Sequence, residues 1–363
     1  MSGTFRHLLL LALLGAFVGG CSSSARLEAW NSRWLEAERA HVHGEDAVAL
    51  VHLEALDAAA ESQRDRHEVL VRRGDCLTAI GRARSAMTSW FRSGRIAPDR
   101  NAAARSYLRV VRWMSVEPGM ELKGLQGMIR LLDAFPDTRA GKRALDHVVA
   151  VFQGTAQGQR WLRAFLAGRW RMHRKTGLAK FIAYEQGRLF ARSADRPDWE
   201  RAVRTMADIE RLFPRSALWD DAVYARSELL HRLGRYEEEL DALRLILKHR
   251  RRGLFGDVAE TAYYHRSQWR VAQVLQHDLR EFELAELALK YFVREFAFSR
   301  RFDDALYELA VVRVGMGRSE AALDALSRLA VERPESRFNR YAARLMETGV
   351  DPRRARDGEE ETP

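Results

Sequence analysis

A twelve-residue phrase that occurs twice is the feature that most constrains the fold of this chain. The stretch FPRSALWDDAVY at residues 213–224 returns 83 residues later as FAFSRRFDDALY at residues 296–307. Because proline ends helices, its spacing is informative. Pro98, Pro136, Pro214 and Pro334 follow one another at separations of 38, 78 and 120 residues. These separations are close to multiples of about 38 to 40 residues. A fixed period of this length predicts an array of structural repeats.

The composition between these prolines predicts helices. After residue 25 the chain is rich in Ala, Leu, Arg and Glu and has no convincing run of alternating β-branched residues, which favours an all-α fold. The repeated phrase then indicates a junction between units, with Ser216 as a candidate to cap the next helix and Asp220 and Asp221 in or near its first turn. The same junction, with a hydroxyl residue six positions before an alanine, recurs at Thr138, Ser299 and Ser336.

One segment carries the spacing of a known repeat family. Residues 67–98 place Gly74, Leu77, Gly81, Ala86, Trp90 and Pro98 in a pattern that resembles the tetratricopeptide repeat (TPR). Units of that family are pairs of antiparallel helices with a small residue on each helix where the two cross, here Gly74 and Ala86. Residues 303–334 and 220–247 follow the same spacing, although the second departs from it at Glu239, where alanine is expected.

The resemblance implies an all-α, right-handed superhelical solenoid of about eight TPR-like antiparallel helix pairs at residues 26–347. It also implies that the first helices of the units line a concave groove for peptide segments of partner proteins. The groove positions carried over from the family are Glu68, Val71, Asp75 and Thr78, then Asp221, Tyr224, Glu228 and His231, then Asp304, Tyr307, Val311 and Val314. Each set has an acid near its start and an apolar or aromatic residue nearby, which favours basic, partly apolar peptides.

An enlarged loop interrupts the period. Tyr236 and Phe282 occupy equivalent positions 46 residues apart, against 37 for Trp199 and Tyr236. Enlarged loops in repeat arrays often carry function, so the loop at residues 248–258 is a second candidate contact. Its basic and apolar side chains are Arg250, Arg251, Arg252, Leu254 and Phe255. The alternative is a longer helix end followed by a packed turn.

The first 25 residues predict export and anchoring. A basic start precedes an apolar run at residues 8–18 that is too short to span a bilayer. The following VGGC resembles the lipobox of bacterial lipoproteins, which implies a signal peptide at residues 1–20, a lipid on Cys21 and a polar tether at residues 21–25. An ordinary secretory signal with a chance cysteine is the alternative. The serine after Cys21 resembles the sorting pattern for the outer membrane of Gram-negative bacteria, so we expect a lipid-anchored, periplasm-facing protein.

No motif for catalysis or a cofactor accompanies the repeats. GxSxG, HExxH, CxxC and P-loop patterns are absent. The HVH at residues 41–43 is the nearest approach to a metal site, but helix residues two apart point about 200° apart, so we expect solvated surface histidines. Cys76 has no second cysteine to pair with inside the mature fold and is expected to be a small packed residue. We therefore predict no enzyme, no cofactor and no metal.

The net charge and the tail limit the partners. The formal charge is +10, and only six of the basic residues are lysines. An exported protein meets lipid head groups, surface polysaccharides and acidic proteins, so we expect no nucleic-acid partner. The end of the chain at residues 348–363 is charged and contains few large apolar residues, which predicts a disordered tail.

These features together predict a non-enzymatic protein-interaction scaffold of the bacterial cell envelope, held to the membrane through Cys21. Its junctions look like those of the lipoprotein subunit of the outer-membrane β-barrel assembly machinery, and like those of a periplasmic repeat protein that coordinates envelope constriction at division; the anchored cysteine favours the first. Some lytic transglycosylases carry helical solenoids, so the alternative is an accessory protein that binds peptidoglycan or cell-wall enzymes. The oligomeric state stays open.

Overall fold

The computed structural model describes residues 24–193, 197–249, 251–252, 258–259 and 263–353. Within these ranges the helices are α1 (24–42), α2 (Asp46–Ala59), α3 (Gln63–Ala79), α4 (Ala83–Arg95), α5 (Arg100–Val116), α6 (Glu121–Ala134), α7 (Arg139–Phe152), α8 (Ala156–His173), α9 (Ala179–Ala191), α10 (Trp199–Leu212), α11 (Trp219–Arg232), α12 (Tyr236–Lys248), α13 (Tyr264–Gln273), α14 (Phe282–Glu295), α15 (Phe302–Gly315), α16 (Ser319–Glu332) and α17 (Asn339–Thr348).

The helices follow one another as eight successive pairs with α17 after them, which confirms the predicted helical repeat. A π-helical segment, Val274–Asp278, continues α13. The departure from the all-α prediction within the described ranges is a ladder of two residues, which pairs β1 (Arg251–Arg252) with β2 (Val258–Ala259). It lies in the enlarged loop between α12 and α13. None of the helices in these ranges is long and apolar enough to cross a membrane.

The pair α3–α4 shows how the sequence pattern produces a helical hairpin. His67, near the start of α3, donates from Nδ1 to the carbonyl oxygen of Ser93 near the end of α4, at 2.9 Å. Farther along, Trp90 Nε1 donates to Asp75 Oδ1 at 3.0 Å, so the two helices run antiparallel. A Cβ on Gly74 would lie 2.3 Å from Trp90 Nε1. The absence of a side chain at Gly74 is therefore what lets the indole ring pack at the crossing.

The turn inside most pairs uses the left-handed backbone region. Five turn glycines have φ between 69° and 81°: Gly44, Gly81, Gly119, Gly234 and Gly317. Glycine adopts this conformation without the clash between Cβ and carbonyl oxygen that other residues suffer. In the turn between α13 and α14 the same region is taken by Arg280, with φ 56°. Arg280 is 46 residues from Gly234 and 37 from Gly317, which matches the enlarged spacing expected from the sequence.

The junctions between pairs are built alike four times. The residue that ends each helix has φ between −138° and −123° and ψ between 40° and 65°, at Phe135, Phe213, Phe296 and Arg333. Its carbonyl oxygen accepts from the amide three residues on, at Thr138, Ser216, Ser299 and Ser336, with distances of 2.9 to 3.2 Å. The shared turn explains why FPDT, FPRS, FAFS and RPES occupy equivalent positions in the repeat.

The capping role expected of the hydroxyl residues is correct at one junction only. Thr138 precedes α7 directly and accepts from Gly141 N–H at 3.0 Å, as an N-cap does. Ser216 instead accepts from Leu218 N–H at 3.1 Å, before α11 begins. An additional turn separates Ser216 from α11. Its hydroxyl therefore stabilises this turn and does not accept from the free amides in the first turn of the helix.

Contacts divide the described residues into two compact units, 24–154 with 169–179, and 155–168 with 180–353. In the first unit, buried side chains of α1 to α4 form a core that includes Leu53, Leu56 and Trp90. In the second unit, the core at α12 to α17 contains the large, fully buried rings of Phe292, Phe296, Phe302, Tyr307 and Phe338. Buried apolar area of this kind is the main stabilising contribution in each unit.

The first part of the predicted disordered tail, residues 348–353, contacts α15. Tyr307 donates its hydroxyl to Asp351 Oδ1 at 3.0 Å, and Arg353 donates to Glu308 Oε1 at 2.8 Å while its guanidinium lies over the Tyr307 ring. Burial opposes ionisation of Asp351, but the hydrogen bonds from Arg353 outweigh it and hold the pKa of the carboxyl below its ordinary value. Asp351 and Arg353, whose charges predict exposure to solvent, therefore pair with side chains of α15. Residues 354–363 lie outside the described residues.

Candidate functional site

The twelve predicted groove residues lie on α3, α11 and α15, and all except Tyr307 are exposed or half-buried. On α3, Glu68 and Thr78 are exposed, while Val71 and Asp75 are half-buried. Asp75 Oδ1 accepts from Trp90 Nε1 and also from Arg109 Nε at 3.1 Å. This carboxylate thus joins α3 to α4 and α5, a structural role that leaves little capacity for a partner.

On α15 the predicted groove face is largely occupied by the chain itself. The ring of Tyr307 is fully buried beneath Arg353. Val311 and Val314 are half-buried and pack against the core of the second unit. Burial, and then the neighbouring Asp303 carboxylate, raise the pKa of Asp304 above its ordinary value, and Arg337 lies 3.5 Å from its Oδ1. These four positions therefore help to close the end of the second unit.

On α11 the predicted residues do border an open cleft. Tyr224, Glu228 and His231 form one wall; α13 and the loop between α14 and α15 supply the rest, around a volume of about 810 Å³. Asp221 does not line it, because its Oδ1 accepts the hydroxyl of Tyr263 at 2.7 Å. Burial and this contact with Asp221 raise the pKa of the Tyr263 hydroxyl, so it stays a donor.

The charge of this cleft, which we call the arginine cleft, is opposite to the charge expected from α11 alone. Among its lining residues there is one carboxylate, Glu228, and five guanidinium groups, on Arg232, Arg266, Arg270, Arg300 and Arg301. Arg270 is bound to Glu239, and the Arg301 guanidinium lies 5.4 Å from the centre of the Trp269 ring. Within the described ranges, Arg232, Arg266 and Arg300 have no ion-pair partner. The cleft therefore carries a local excess of positive charge.

Aromatic side chains surround the charged centre. Tyr224 stacks on Tyr263 with ring centres 4.7 Å apart. Trp269 lines the cleft but is 5% exposed, whereas Phe298 is 73% exposed at the α14–α15 loop. An exposed phenyl ring beside unpaired guanidinium groups offers an apolar contact and charge-assisted hydrogen bonds within one site.

Glu239 holds two walls of the cleft in place. Its side chain is fully buried at the position where the family pattern has alanine. One carboxylate oxygen lies 2.9 Å from His231 Nδ1 on α11, and the other accepts from Arg270 Nε on α13 at 2.7 Å. The departure from the family pattern is thus a buried ionic contact that joins α12 to both walls of the cleft.

The arginines of the cleft are not predicted from the sequence, because they lie on elements outside the recognised repeat spacing. Arg266 and Arg270 are four residues apart on α13, a spacing that places both on one helix face. This spacing of four residues is visible in the sequence. The enlarged loop before α13 shifts the helix out of the repeat period, however, so the spacing of the repeats does not show where this unit begins. Of the loop candidates, Arg251 and Arg252 form β1; Arg250, Leu254 and Phe255 lie outside the described residues, as does Cys21.

The sequence predicts a solvated surface residue at His41. The structure places it beside Asp46 and Cys76, and one potential metal-ligand atom from each lies within 4.8 Å of the others. His43 is exposed, as expected. Within the described residues, this is the cluster that could hold a metal ion.

Comparison with known proteins identifies part of the repeat. The tetratricopeptide repeat family model matches residues 304–336, which include most of α15 and all of α16. No curated protein matches the chain. Among solved structures, the crystal structure of the P58(IPK) TPR domain matches at 16% identity over 88% of this chain and 89% of that chain, with a TM-score of 0.27. That TM-score is too low to establish a structural relationship. The family model therefore identifies a tetratricopeptide repeat at residues 304–336, within a chain of successive helix pairs.

Proposed function

We propose that the protein is a non-enzymatic scaffold that binds an acidic, partly apolar segment of a partner protein in the arginine cleft. The observation that carries this proposal is the ratio of five arginines to one glutamate around a volume of about 810 Å³. Repeats of the tetratricopeptide type are interaction modules, which supports a protein as the ligand. An acidic partner replaces the basic one expected from the sequence, because α13 and the α14–α15 loop reverse the charge of α11.

The geometry favours an elongated ligand with separate charged and apolar contacts. Arg266 on α13 and Arg300 on the loop offer guanidinium groups to carboxylates, and Phe298 offers an exposed ring to an apolar side chain. Charge-assisted bonds of this type are stronger than neutral ones. Because the cleft is open to solvent, we expect its affinity to fall as salt is added.

Peptide binding tests this proposal directly. We would measure fluorescence anisotropy of a labelled peptide with four glutamates and one phenylalanine, and of a matched peptide with four lysines. We expect the acidic peptide to bind more tightly, and the double substitution Arg266→Glu, Arg300→Glu to weaken that binding at least about 10-fold, equivalent to about 1.4 kcal/mol.

The matched control is Arg204→Glu, because Arg204 is an exposed arginine of the second unit that lies on α10 and does not line the cleft. It changes the charge of the same unit and should leave peptide affinity nearly unchanged. Preference for the lysine peptide, or equal losses for control and cleft variants, would show that the cleft is not the binding site.

We further propose that Cys21 carries lipid and holds the scaffold at the outer membrane, facing the periplasm. The support is the short apolar run at residues 8–18 and the VGGC that follows it. Envelope proteins with acidic segments are the partners that such a location offers. We propose that the protein serves outer-membrane protein assembly or another part of envelope biogenesis. Identification of the partner would decide between these processes.

A further inference from the structure

We propose that His41, Asp46 and Cys76 form a binding site for Zn²⁺, completed by one water molecule. The three side chains come from separate places in the first unit: His41 from the last turn of α1, Asp46 from the first residue of α2, and Cys76 from the last turn of α3. They offer one nitrogen, one oxygen and one sulfur ligand. Mixed sets that include thiolate and imidazole are typical of zinc.

The α1–α2 turn fixes two of the ligands. Gly44 takes φ 78° and donates its N–H to the carbonyl oxygen of His41 at 3.0 Å. This tight turn places the His41 ring across from Asp46, with Nδ1 and Oδ1 2.5 Å apart. The His41 and Asp46 side chains therefore converge because the turn reverses the chain between them, and α3 then presents Cys76 beneath both.

The distance between the Cys76 and His41 ligand atoms matches that of a tetrahedral zinc site. Zinc bonds of about 2.3 Å to sulfur and about 2.0 to 2.1 Å to nitrogen put the two ligand atoms about 3.6 Å apart at a tetrahedral angle. Cys76 Sγ and His41 Nδ1 are 3.6 Å apart. A nitrogen and a carboxylate oxygen on the same ion would lie about 3.3 Å apart, so Asp46 has to retreat by less than ~1 Å from its direct contact with His41.

Burial provides a closed floor and an open side. Cys76 is fully buried and the side chain of Asp46 is 8% exposed, while 25% of His41 remains exposed. An ion can enter past His41 and keep a water there as its fourth ligand. The neighbouring charges are Arg72, which is held by both oxygens of Glu38 at 2.6 and 2.8 Å, and Asp75, which is bound to Trp90 and Arg109.

Electrostatics explain why a metal suits this pocket. A cysteine thiol carries its proton at neutral pH unless a nearby cation stabilises the thiolate. Zn²⁺ binding releases that proton to solvent and replaces it with a metal–sulfur bond. A dication, a thiolate, a carboxylate and a neutral imidazole sum to zero charge, which lowers the cost of burying the site.

Cobalt spectroscopy tests the site, because Co²⁺ bound to a thiolate gives a charge-transfer band in the near ultraviolet. The probe is Co²⁺ added to the full chain with Cys21→Ser, so that Cys76 is the remaining thiol. We expect the band to saturate at one Co²⁺ per chain and to disappear when Zn²⁺ is added. Absence of the band, with or without Zn²⁺ binding elsewhere on the surface, would overturn the proposal.

Variants separate the three ligands from the surrounding surface. Cys76→Ser should abolish the band and weaken Zn²⁺ binding by at least about 10-fold, and Asp46→Asn should weaken it similarly. His43→Ala is the matched control, because His43 is exposed two residues from His41, and it should change neither measurement. If Cys76→Ser loses its helical circular dichroism, the parent spectrum and Asp46→Asn still decide. Equal Zn²⁺ affinity in the parent and in Asp46→Asn counts against the site.

Discussion

Gly74 shows how one missing side chain sets the distance between two helices. The Trp90 indole packs directly against the Gly74 backbone, and its Nε1 donates to Asp75 at 3.0 Å. The Trp90 ring fills the space at the helix crossing, as the close packing of protein interiors requires. The same residue pair therefore supplies the packing and a satisfied indole hydrogen bond, and a larger residue at Gly74 would disturb both.

The substitution Gly74→Ala should destabilise the first unit by about 1–3 kcal/mol. Its Cβ would lie 2.3 Å from Trp90 Nε1, so the ring must move and its bond to Asp75 lengthens. This loss exceeds the gain of about 1 kcal/mol that alanine usually brings to a helix. Chemical denaturation followed by circular dichroism measures the change.

Gly168→Ala provides the control for that substitution. Gly168 also lies inside a helix, but nothing lies within 4 Å of a Cβ placed there. We expect a small stabilisation of about 0.5–1 kcal/mol from helix propensity alone. If both alanine variants are stabilised alike, the contact between Gly74 and Trp90 is not what requires glycine.

At the scale of the elements, the turn inside the pair determines where each hairpin reverses. Gly81, Gly234 and Gly317 each donate an N–H to the carbonyl oxygen three residues earlier, with φ between 69° and 76°. The π-helical end of α13 changes this pattern, because Leu279 donates to Val274 five residues earlier. The last turn of this helix thus contains one residue more than an α-helical turn. As a result Arg280, and not a glycine, has the positive φ at the turn between α13 and α14.

The substitution Arg280→Gly should stabilise the second unit by about 0.5–1 kcal/mol. Relief of the left-handed strain of about 1–2 kcal/mol outweighs the greater freedom of glycine in the unfolded chain. The midpoint of thermal unfolding should rise accordingly. Arg280→Ala is the control, since it removes the same side chain and keeps the strain. A rise of equal size for alanine would mean that the arginine side chain, and not its backbone, is responsible.

At the scale of the whole molecule, the net charge is +10, but many of the arginines form ion pairs with carboxylates of the same chain. Bidentate contacts such as Arg72 with Glu38 and Arg226 with Glu210 join helices within one unit. Planar guanidinium groups suit such contacts better than lysine does. The arginines of the cleft are different, because several of them have no acidic partner in the described ranges, and this is why we assign the binding function there.

The proposed anchor predicts a covalent change at one residue of the whole chain. Expressed with its own signal in a Gram-negative host, the protein should appear in the outer-membrane fraction, with a mature N-terminus at Cys21 and the mass of attached acyl groups. Cys21→Ser should lose both properties, whereas Cys76→Ser should keep them because Cys76 is buried in the fold. Mass spectrometry of the N-terminal peptide decides, and an unmodified N-terminus at any residue contradicts the anchor.

The helices, their pairing and the period of the repeat are predictable from the sequence alone. These features depend on local preferences and short spacings: proline ends a helix, glycine in the left-handed region forms the turn inside a pair, and the small residues at Gly74 and Ala86 mark a crossing within one pair. For two residues of the C-terminal segment, composition gives the wrong expectation. Composition predicts solvation for charged residues, but Asp351 and Arg353 find partners 44 and 45 residues away on α15.

The chemistry of the surfaces, in contrast, depends on how distant segments of the chain pack together. The arginine cleft combines α11 with side chains of α13 and of the α14–α15 loop, so its charge cannot be read from α11 alone. Glu239 and Arg270 are 31 residues apart, and His41 and Cys76 are 35 apart. Local spacing carries no information about pairs that distant, because only the packing of successive helices brings them within bonding range.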